Sequence, residues 1–235
     1  MDLKHILENG RGYTILENCI PISVIEDIKN DLDKLVPVRA SSSYKVYAEK
    51  DEIKNLKDIA VWWSQMLDDW QSVQFIDNII KSIIQVDFPE LETYAIDSVH
   101  ISSHSQWVNP HVDTPYRFKK YNFDKRLLGI QCIIPIFDLD PTNGSTGLVP
   151  FSQKRDFDID LCYNDHYTKW FNNNVKQHCI SQGSALIYNC RILHSSMPNN
   201  TDITRPALLI NYLHKDIIDE VKQMDNIWNS NDRKK

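Results

Sequence analysis

Apolar residues recur at helical spacing early in the chain, so a first helix is predicted there. Ser23 followed three residues later by Glu26 has the pattern of a capping box, which predicts where this helix begins. The apolar stripe behind it consists of Ile25, Ile28, Leu32 and Leu35.

A second helical block is predicted over residues 56–84, and Pro89 ends that region. Three tryptophans in or beside the block, Trp62, Trp63 and Trp70, are expected to pack in the core, because large aromatic side chains dominate core energetics. The residues that follow helical periodicity are Val73, Ile76, Ile80, Ile83 and Ile84.

From residue 92 the pattern changes to short apolar runs separated by turn signals, which is typical of a barrel or sandwich. One run, residues 127–137, is almost continuously apolar, as in a strand buried on both faces, and Gln131 interrupts it. Asp140 to Gly144 reads as a turn, since proline presets one φ and Asn-Gly accepts positive φ. The predicted strands cover residues 12–20, 93–102, 127–137, 147–149, 185–188 and 207–213.

Two polar stretches are predicted as loops that could cover a site. Residues 36–52 look like a loop or flap, and residues 153–181 look like a lid or an irregular helix near residues 167–171. The chain is expected to form one domain over residues 1–235. Its parts are a helical region at about 1–92, a β core at about 93–214 and a C-terminal helix at about 216–229.

Composition indicates a soluble globular protein and narrows its partners. The chain has 235 residues with a net charge of −6, which argues against a nucleic-acid surface. No apolar run approaches the ~20 residues that span a bilayer, so no membrane association is expected. The N-terminus lacks the features of a secretory signal. The 5 cysteines are scattered without a CxxC pair, which favours reduced thiols over a zinc site, and a cytoplasmic location is expected.

The candidate chemistry begins with His111 and Asp113, two residues apart and just after a proline. On extended backbone an imidazole and a carboxylate at this spacing can reach one metal ion, and a second histidine would complete a two-histidine, one-carboxylate triad. With 8 histidines and 32 acidic residues, roughly one such pair is expected by chance. The chain contains a second pair, His214 and Asp216, which serves as an internal control.

Downstream, an apolar strand leads to His194, and a turn-rich stretch at residues 197–202 precedes Arg205. We expect a hairpin that places His194 and Arg205 side by side. Such a pair suits a dicarboxylate with a keto acid end, which would chelate the metal while its far carboxylate meets the guanidinium. Ser196 is positioned to add a hydrogen bond to that carboxylate.

The motifs H-V-D at 111–113, N-G-S-T-G-L-V-P at 143–150 and H-S-S at 194–196 with Arg205 beyond them resemble the phytanoyl-CoA dioxygenase-like family. This resemblance implies a mainly β fold with flanking helices and a double-stranded β-helix (jelly-roll, cupin-like) core. It also implies an Fe(II)- and 2-oxoglutarate-dependent dioxygenase that uses O2, oxidises a small molecule and releases succinate and CO2. The implied iron ligands are His111, Asp113 and His194; Arg205 and Ser196 fall where the family anchors 2-oxoglutarate, and Gln131 is a further candidate for that pocket.

Two departures from the resemblance concern reaction and substrate. Phe151-Ser152-Gln153 stands where many members have G-S-H, which predicts a reshaped loop. Asp113 stands where related halogenases have a small residue, which favours hydroxylation or desaturation over halogenation.

Alternatives stay open at the level of the sequence. A cupin-type metalloenzyme would use the same ligands without 2-oxoglutarate, and a binding or sensor barrel would keep the fold without catalysis. His100 and His104 are expected to be structural. A basic run is either a solvated face or a surface that attracts an anionic substrate, and it comprises Arg117, Lys119, Lys120, Lys125 and Arg126.

Overall fold

The computed structural model describes residues 1–35, 39–41, 47–49, 61–65, 70–105, 110–156 and 165–232. Within these residues the helices are α1 (Ile22–Asn30), α2 (Gln71–Ile84), α3 (Asp165–Asn174) and α4 (Ile218–Asp232). The strands are β1 (Tyr13–Leu16), β2 (Arg39–Ser41), β3 (Tyr47–Glu49), β4 (Val61–Gln65), β5 (Leu91–Ile101), β6 (Gly129–Pro135), β7 (Thr146–Leu148), β8 (Ala185–Asn189), β9 (His194–Ser196) and β10 (Arg205–His214).

The strands form two antiparallel layers. The larger sheet has eight strands in the order β1-β8-β6-β10-β5-β4-β2-β3, and the smaller has β7 paired with β9. Single bridges from His111 to His194 and from Leu148 to Lys176 widen the smaller layer on both sides. The six predicted strands coincide with β1, β5, β6, β7, β8 and β10 to within a few residues. The larger sheet also takes β2, β3 and β4 from the region at about 1–92 that was predicted to be helical.

Each face of the larger sheet buries its own apolar cluster, because successive strand residues point to opposite sides. One cluster joins the outer face to α1 and α2, and includes Ile76, Ile80 and Leu208. The other fills the space between the two sheets and includes Val99 and Leu186. Side chains of the second set share the interior with the candidate site.

The first predicted helix forms, but its predicted start is wrong. Helix α1 begins at Ile22 directly after Pro21, and no side chain caps it. Ser23 therefore lies inside the first turn, and Glu26 pairs with Lys29 instead of reaching back to a cap. Proline presets φ just before the first turn but offers no side-chain acceptor to the free amides there.

The second predicted helical block is only partly helical. Residues 61–65 form β4, and helix α2 begins at Gln71. Trp62 and Trp63 thus lie on opposite faces of a strand, where Trp62 stacks on His100 with ring centroids 3.4 Å apart. The remainder of the block before residue 61 lies outside the described residues.

The two predicted loops also contain regular structure. Residues 39–41 and 47–49 pair as β2 and β3 at the edge of the larger sheet, so the predicted loop or flap at residues 36–52 contains a short pair of strands. Helix α3 occupies part of the 153–181 stretch and agrees with the predicted helix near residues 167–171. The C-terminal helix forms as expected, preceded by a 3-10 turn at Lys215–Ile217. In the part of the chain that is described, no helix is long and apolar enough to cross a membrane.

Candidate metal and co-substrate site

Backbone pairing between His111 and His194 builds the candidate site. The amide of each residue donates to the carbonyl of the other, at 2.9 and 3.0 Å. Asp113 is fixed two residues further on, where its amide donates to the carbonyl of Cys190 at 2.8 Å. These three backbone bonds bring two distant segments of the chain together, so the spacing of the side chains does not depend on a flexible loop.

The side chains of His111, Asp113 and His194 converge, and one ligand atom from each lies within 4.8 Å of the others. His111 Nε2 lies 3.8 Å from Asp113 Oδ1, and His194 Nε2 lies 3.3 Å from Asp113 Oδ2. The side chain of His194 is only 5% exposed, whereas that of His111 is 39% exposed. The cluster therefore has one enclosed side and one side that opens toward solvent.

The ring of His194 is oriented by a contact on its far side. Its Nδ1 lies 3.0 Å from the carbonyl oxygen of Ile192, which can only accept a hydrogen bond. A neutral imidazole held this way carries its proton on Nδ1, which leaves Nε2 as the nitrogen that faces Asp113. A backbone carbonyl is one of the usual partners of the second ring nitrogen in a metal-binding histidine.

Tyr188, which sequence reasoning missed, touches two members of the cluster. Its hydroxyl donates to Asp113 Oδ2 at 3.0 Å and lies 3.2 Å from His194 Nε2. The side chain is fully enclosed, and burial, followed by the charge of Asp113, raises its pKa well above the usual range. The predicted strand at 185–188 contains Tyr188, but nothing local in the sequence indicates which residue its hydroxyl meets.

Arg205 is buried at 3% exposure, and its guanidinium donates to the carbonyl oxygens of Asn143 and Gly144. Both of these acceptors are backbone carbonyls, and no ion pair with a carboxylate is found for Arg205 among the described residues. Burial lowers the pKa of Arg205 to about 10, so the side chain remains a cation at neutral pH. Buried charges in proteins are normally paired, and this one has carbonyl partners only.

The predicted hairpin between His194 and Arg205 is wrong. His194 opens β9 of the smaller sheet, opposite Leu148, whereas Arg205 opens β10 of the larger sheet, opposite Ile101. The two residues belong to facing layers, because the turn-rich connection crosses from one sheet to the other. Ser196 lies on β9 and is paired with Thr146, in the smaller sheet with His194.

Gln131 faces the interior from the centre of the larger sheet, flanked by Tyr188 on β8 and Asn211 on β10. Its Oε1 accepts a hydrogen bond of 2.7 Å from Asn211 Nδ2, which also lies 3.3 Å from Cys190 Sγ. Asn211 Oδ1 is buried without a hydrogen-bond partner. The predicted pocket residue thus belongs to an amide pair, and sequence reasoning did not single out its partner Asn211.

The remaining histidines that were weighed lie apart from the cluster. His100 accepts or donates a 2.8 Å hydrogen bond with Ser98, and burial, followed by the charge of Arg205, lowers the pKa of His100 to about 3. His104 pairs with Asp202 at the surface. His214 Nδ1 lies 3.7 Å from Asp216 Oδ2, and neither residue belongs to the described cluster of metal-ligand type.

Most of the basic run is engaged in ion pairs. Arg117 pairs with Asp225 on α4, and Lys120 pairs with Glu220 on the same helix. Lys125 and Arg126 pair with Asp156 and Asp124, respectively. These contacts favour the interpretation as a solvated, structural face over a surface kept free for an anionic substrate.

Two antiparallel layers with a His, Asp, His cluster in their interior define a double-stranded β-helix of the cupin-like type. Solved structures that share this fold include SnoN, a non-heme alpha ketoglutarate dependent epimerase from nogalamycin biosynthesis, at TM-score 0.67 and 13% identity, covering 90% of this chain and 80% of that one. HygX from Streptomyces hygroscopicus with nickel and 2-oxoglutarate bound superposes at TM-score 0.66 and 12% identity, covering 91% and 87%. EctD from S. alaskensis with bound Fe superposes at TM-score 0.67 and 11% identity, covering 91% and 76%.

Residues 9–207 match the family model of phytanoyl-CoA dioxygenase (PhyH). The chain therefore belongs to the PhyH family, as its motifs had indicated. No curated protein gives a significant match to the chain.

Proposed function

We propose that this protein is an Fe(II)- and 2-oxoglutarate-dependent dioxygenase that hydroxylates or desaturates a small molecule with release of succinate and CO2. His111, Asp113 and His194 are the proposed metal ligands, and Arg205 and Ser196 are the proposed anchor of the co-substrate. One observation carries the proposal: a convergent His, Asp, His cluster shares its barrel with a buried guanidinium that has no carboxylate partner among the described residues.

The donor set fits iron(II). Two imidazole nitrogens and one carboxylate oxygen are the ligands of the facial triad found in non-haem iron oxygenases, and they leave three positions open. The carbonyl of Ile192 fixes the His194 tautomer that presents a lone pair. Carboxylate and imidazole also bind Zn²⁺ and Ni²⁺ in this geometry, so the choice of iron rests on the family as well as on the donors.

The environment of Arg205 fits the far carboxylate of 2-oxoglutarate. A buried cation bonded only to carbonyl oxygens gains more from a carboxylate than an exposed one does, because ionised partners form the stronger, often two-point, hydrogen bonds. The planar guanidinium holds a carboxylate in a fixed orientation. Arg205 therefore supplies both the charge and the direction that an extended keto acid needs in order to reach the metal ligands.

The chain contributes positioning and exclusion of water, while bound iron and 2-oxoglutarate supply the oxidative chemistry. The enclosed side of the cluster is sealed by the apolar cluster between the sheets, which includes Leu148, Leu186 and Ile192. Asp113 and His194 are held on this sealed side. The more exposed side, at His111, is the proposed entry for the substrate.

A small-molecule substrate is proposed because the cluster lies between two sheets whose interior is largely filled by side chains, which leaves room for a small molecule only. Structures of the same fold have been solved with small molecules bound, namely SnoN with nogalamycin RO and HygX with hygromycin B. The stretches 36–52 and 153–181 remain the proposed lids over the opening. We also propose that residues 1–235 act as one oxygenase domain, and that the protein acts in the cytoplasm.

Two rival functions make different predictions. A cupin-type metalloenzyme that does not use 2-oxoglutarate has no need of a buried guanidinium in the same barrel, and Arg205 argues against it. A non-catalytic binding barrel need not keep three convergent ligands, and the cluster argues against that function.

An anaerobic titration distinguishes the three functions. Addition of Fe(II) followed by 2-oxoglutarate is expected to produce the weak visible charge-transfer band of the chelate. A metal-bound protein that never develops this band is a cupin-type enzyme, and a protein that binds no metal is a binding barrel. A screen of metabolites for substrate-dependent succinate release then identifies the substrate.

A further inference from the structure

Tyr188 occupies a position that connects the larger sheet to the metal site. It lies on β8, between Tyr13 on β1 and Gln131 on β6, and its side chain points into the space between the sheets. Its hydroxyl reaches the opposite layer, where it meets Asp113 Oδ2 at 3.0 Å and His194 Nε2 at 3.2 Å. The residue is 2% exposed, so no solvent competes for these contacts.

A count of protons shows what this hydroxyl can do. A tyrosine hydroxyl carries one proton, and within its reach Asp113 Oδ2 and an unprotonated His194 Nε2 are both acceptors. Only one of the two acceptors can take the proton at a time. A metal ion on His194 Nε2 would use the lone pair of that nitrogen, which leaves Asp113 Oδ2 as the acceptor of the Tyr188 proton.

We propose that Tyr188 is a positioning residue of the metal site, which holds Asp113 as a one-oxygen ligand by donating its hydroxyl proton to Oδ2. The carboxylate then offers only Oδ1, which faces His111 Nε2 at 3.8 Å, to the metal. A one-oxygen carboxylate keeps the number of protein ligands at three. This inference rests on the proposed function, since three open positions are what 2-oxoglutarate and dioxygen require.

The physical setting supports a fixed donor. A buried hydrogen bond to a charged acceptor contributes more to stability than one between neutral groups. Outer partners of metal ligands orient those ligands, and their loss costs roughly 10- to 100-fold in metal affinity.

The chain offers a matched control in the same row of the sheet. Tyr13 is the direct neighbour of Tyr188 across the β1–β8 pair, and it is also buried. Its hydroxyl bonds to His178 Nε2 at 2.8 Å and to none of the three proposed ligands. Tyr13→Phe therefore removes an equivalent hydroxyl from the same cavity without touching the metal site.

The test compares metal binding by the full-length wild type, Tyr188→Phe and Tyr13→Phe. Co(II) is titrated anaerobically into each protein, and both the dissociation constant and the d–d absorption bands are recorded. Tyr188→Phe is expected to weaken Co(II) binding roughly 10- to 100-fold and to shift the bands, because Asp113 gains freedom to chelate with both oxygens. Tyr13→Phe is expected to match the wild type in both measurements.

Each result has a defined meaning. If Tyr188→Phe keeps wild-type Co(II) affinity and wild-type bands, the inference about Tyr188 is wrong while the metal site stands. A wild type that binds no Co(II), Fe(II) or Ni(II) overturns the proposed function itself. Loss of affinity in both tyrosine variants would assign the effect to general loosening of the cavity and overturn the specific role of Tyr188. Circular dichroism and thermal unfolding check that the variants are folded.

Discussion

The ring of His194 is tied to its own chain by a 3.0 Å hydrogen bond from Nδ1 to the carbonyl of Ile192, two residues earlier. The bond joins the first residue of β9 to a residue just before that strand, so it forms when the protein folds and needs no metal. It leaves Nε2 as the only nitrogen that can bind a metal, and it directs that nitrogen to the enclosed side of the cluster.

Substitution of His194 by alanine is expected to abolish stabilisation by metal. A ligand at about 100 times its dissociation constant stabilises a protein by roughly 2.7 kcal/mol, and Ni(II) at that ratio should do so for the wild type. His194→Ala should show no such gain, whereas His214→Ala should keep it, since His214 lies outside the cluster. Thermal unfolding with Ni(II) and with EDTA measures the stabilisation by metal in each protein. If His194→Ala is stabilised by Ni(II) as much as the wild type, His194 is not a metal ligand.

Replacement of Arg205 by methionine is expected to weaken 2-oxoglutarate binding by roughly 100-fold or more, because one partner of a buried charged pair is lost. Fe(II) affinity should stay close to that of the wild type, since the proposed ligands are untouched. The exposed guanidinium of Arg126, paired with Asp124, provides the control variant Arg126→Met. Isothermal titration under anaerobic conditions gives both constants, and unchanged 2-oxoglutarate affinity in Arg205→Met would support the cupin-type alternative.

Gly144→Ala is expected to disturb Arg205 by moving a backbone carbonyl that accepts a hydrogen bond from its guanidinium. Gly144 has φ +79, and a Cβ there would lie 2.7 Å from the carbonyl oxygen of Met197. The carbonyl of Gly144 accepts from Arg205, so the strained turn should misplace the guanidinium. We expect a loss of about 1–3 kcal/mol in unfolding free energy and weaker 2-oxoglutarate binding.

The control for this prediction is Gly12→Ala, at a glycine with φ +88 whose added Cβ would meet the side chain of Gln153. That variant carries similar backbone strain but has no contact with Arg205. It should lose stability and keep its 2-oxoglutarate affinity. Equal losses of affinity in both variants would show that strain alone, rather than the position of Arg205, weakens binding.

His100 is expected to make the fold sensitive to acid. Because its pKa is lowered to about 3, the folded protein does not protonate it in the range where the unfolded chain, with a pKa near ~6.5, does. The unfolded state therefore binds more protons, and stability falls as the pH falls from about 6.5 towards 3. Between pH 6.5 and 4 the contribution is roughly 3 kcal/mol, at about 1.4 kcal/mol per pH unit.

His100→Gln should remove this part of the pH dependence. Urea unfolding at several pH values is expected to give a shallower loss of stability for the variant than for the wild type, with the two curves converging toward low pH. Parallel curves would show that His100 does not carry the dependence. The comparison cancels the contribution of carboxylates, which are the same in both proteins.

The sequence predicted those structural features that depend only on residues close together in the chain. The spacing of His111 and Asp113, and the apolar run that became β6, are visible without the fold because period and spacing are local properties. The apolar strands on either side of a turn-rich stretch singled out His194 and Arg205, and the resemblance assigned their roles. The structure brings His111, Asp113 and His194 together, and it places Arg205 in the facing sheet of the same barrel.

Features that depend on strand pairing could not be obtained this way. The connection from His194 to Arg205 has the composition of a hairpin turn, yet the two strands pair with different partners, and only the full sheet order decides that. Trp62 and Trp63 fit a helix as well as a strand when read alone, and the edge of β5 selected the strand. The contact of Tyr188 with Asp113 crosses from one layer to the other, so no sequence signal marks it.

The mutual backbone hydrogen bonds of His111 and His194 join two points that are far apart along the chain. A metal ion bound by both side chains is therefore a reversible cross-link that closes a long loop. Such a link removes conformational freedom mainly from the unfolded chain, and its effect grows slowly with loop length. Removal of the metal by a chelator should accordingly lower the stability of the fold and make the protein more susceptible to proteolysis. The supply of metal would then govern how long the protein survives as well as how fast it works.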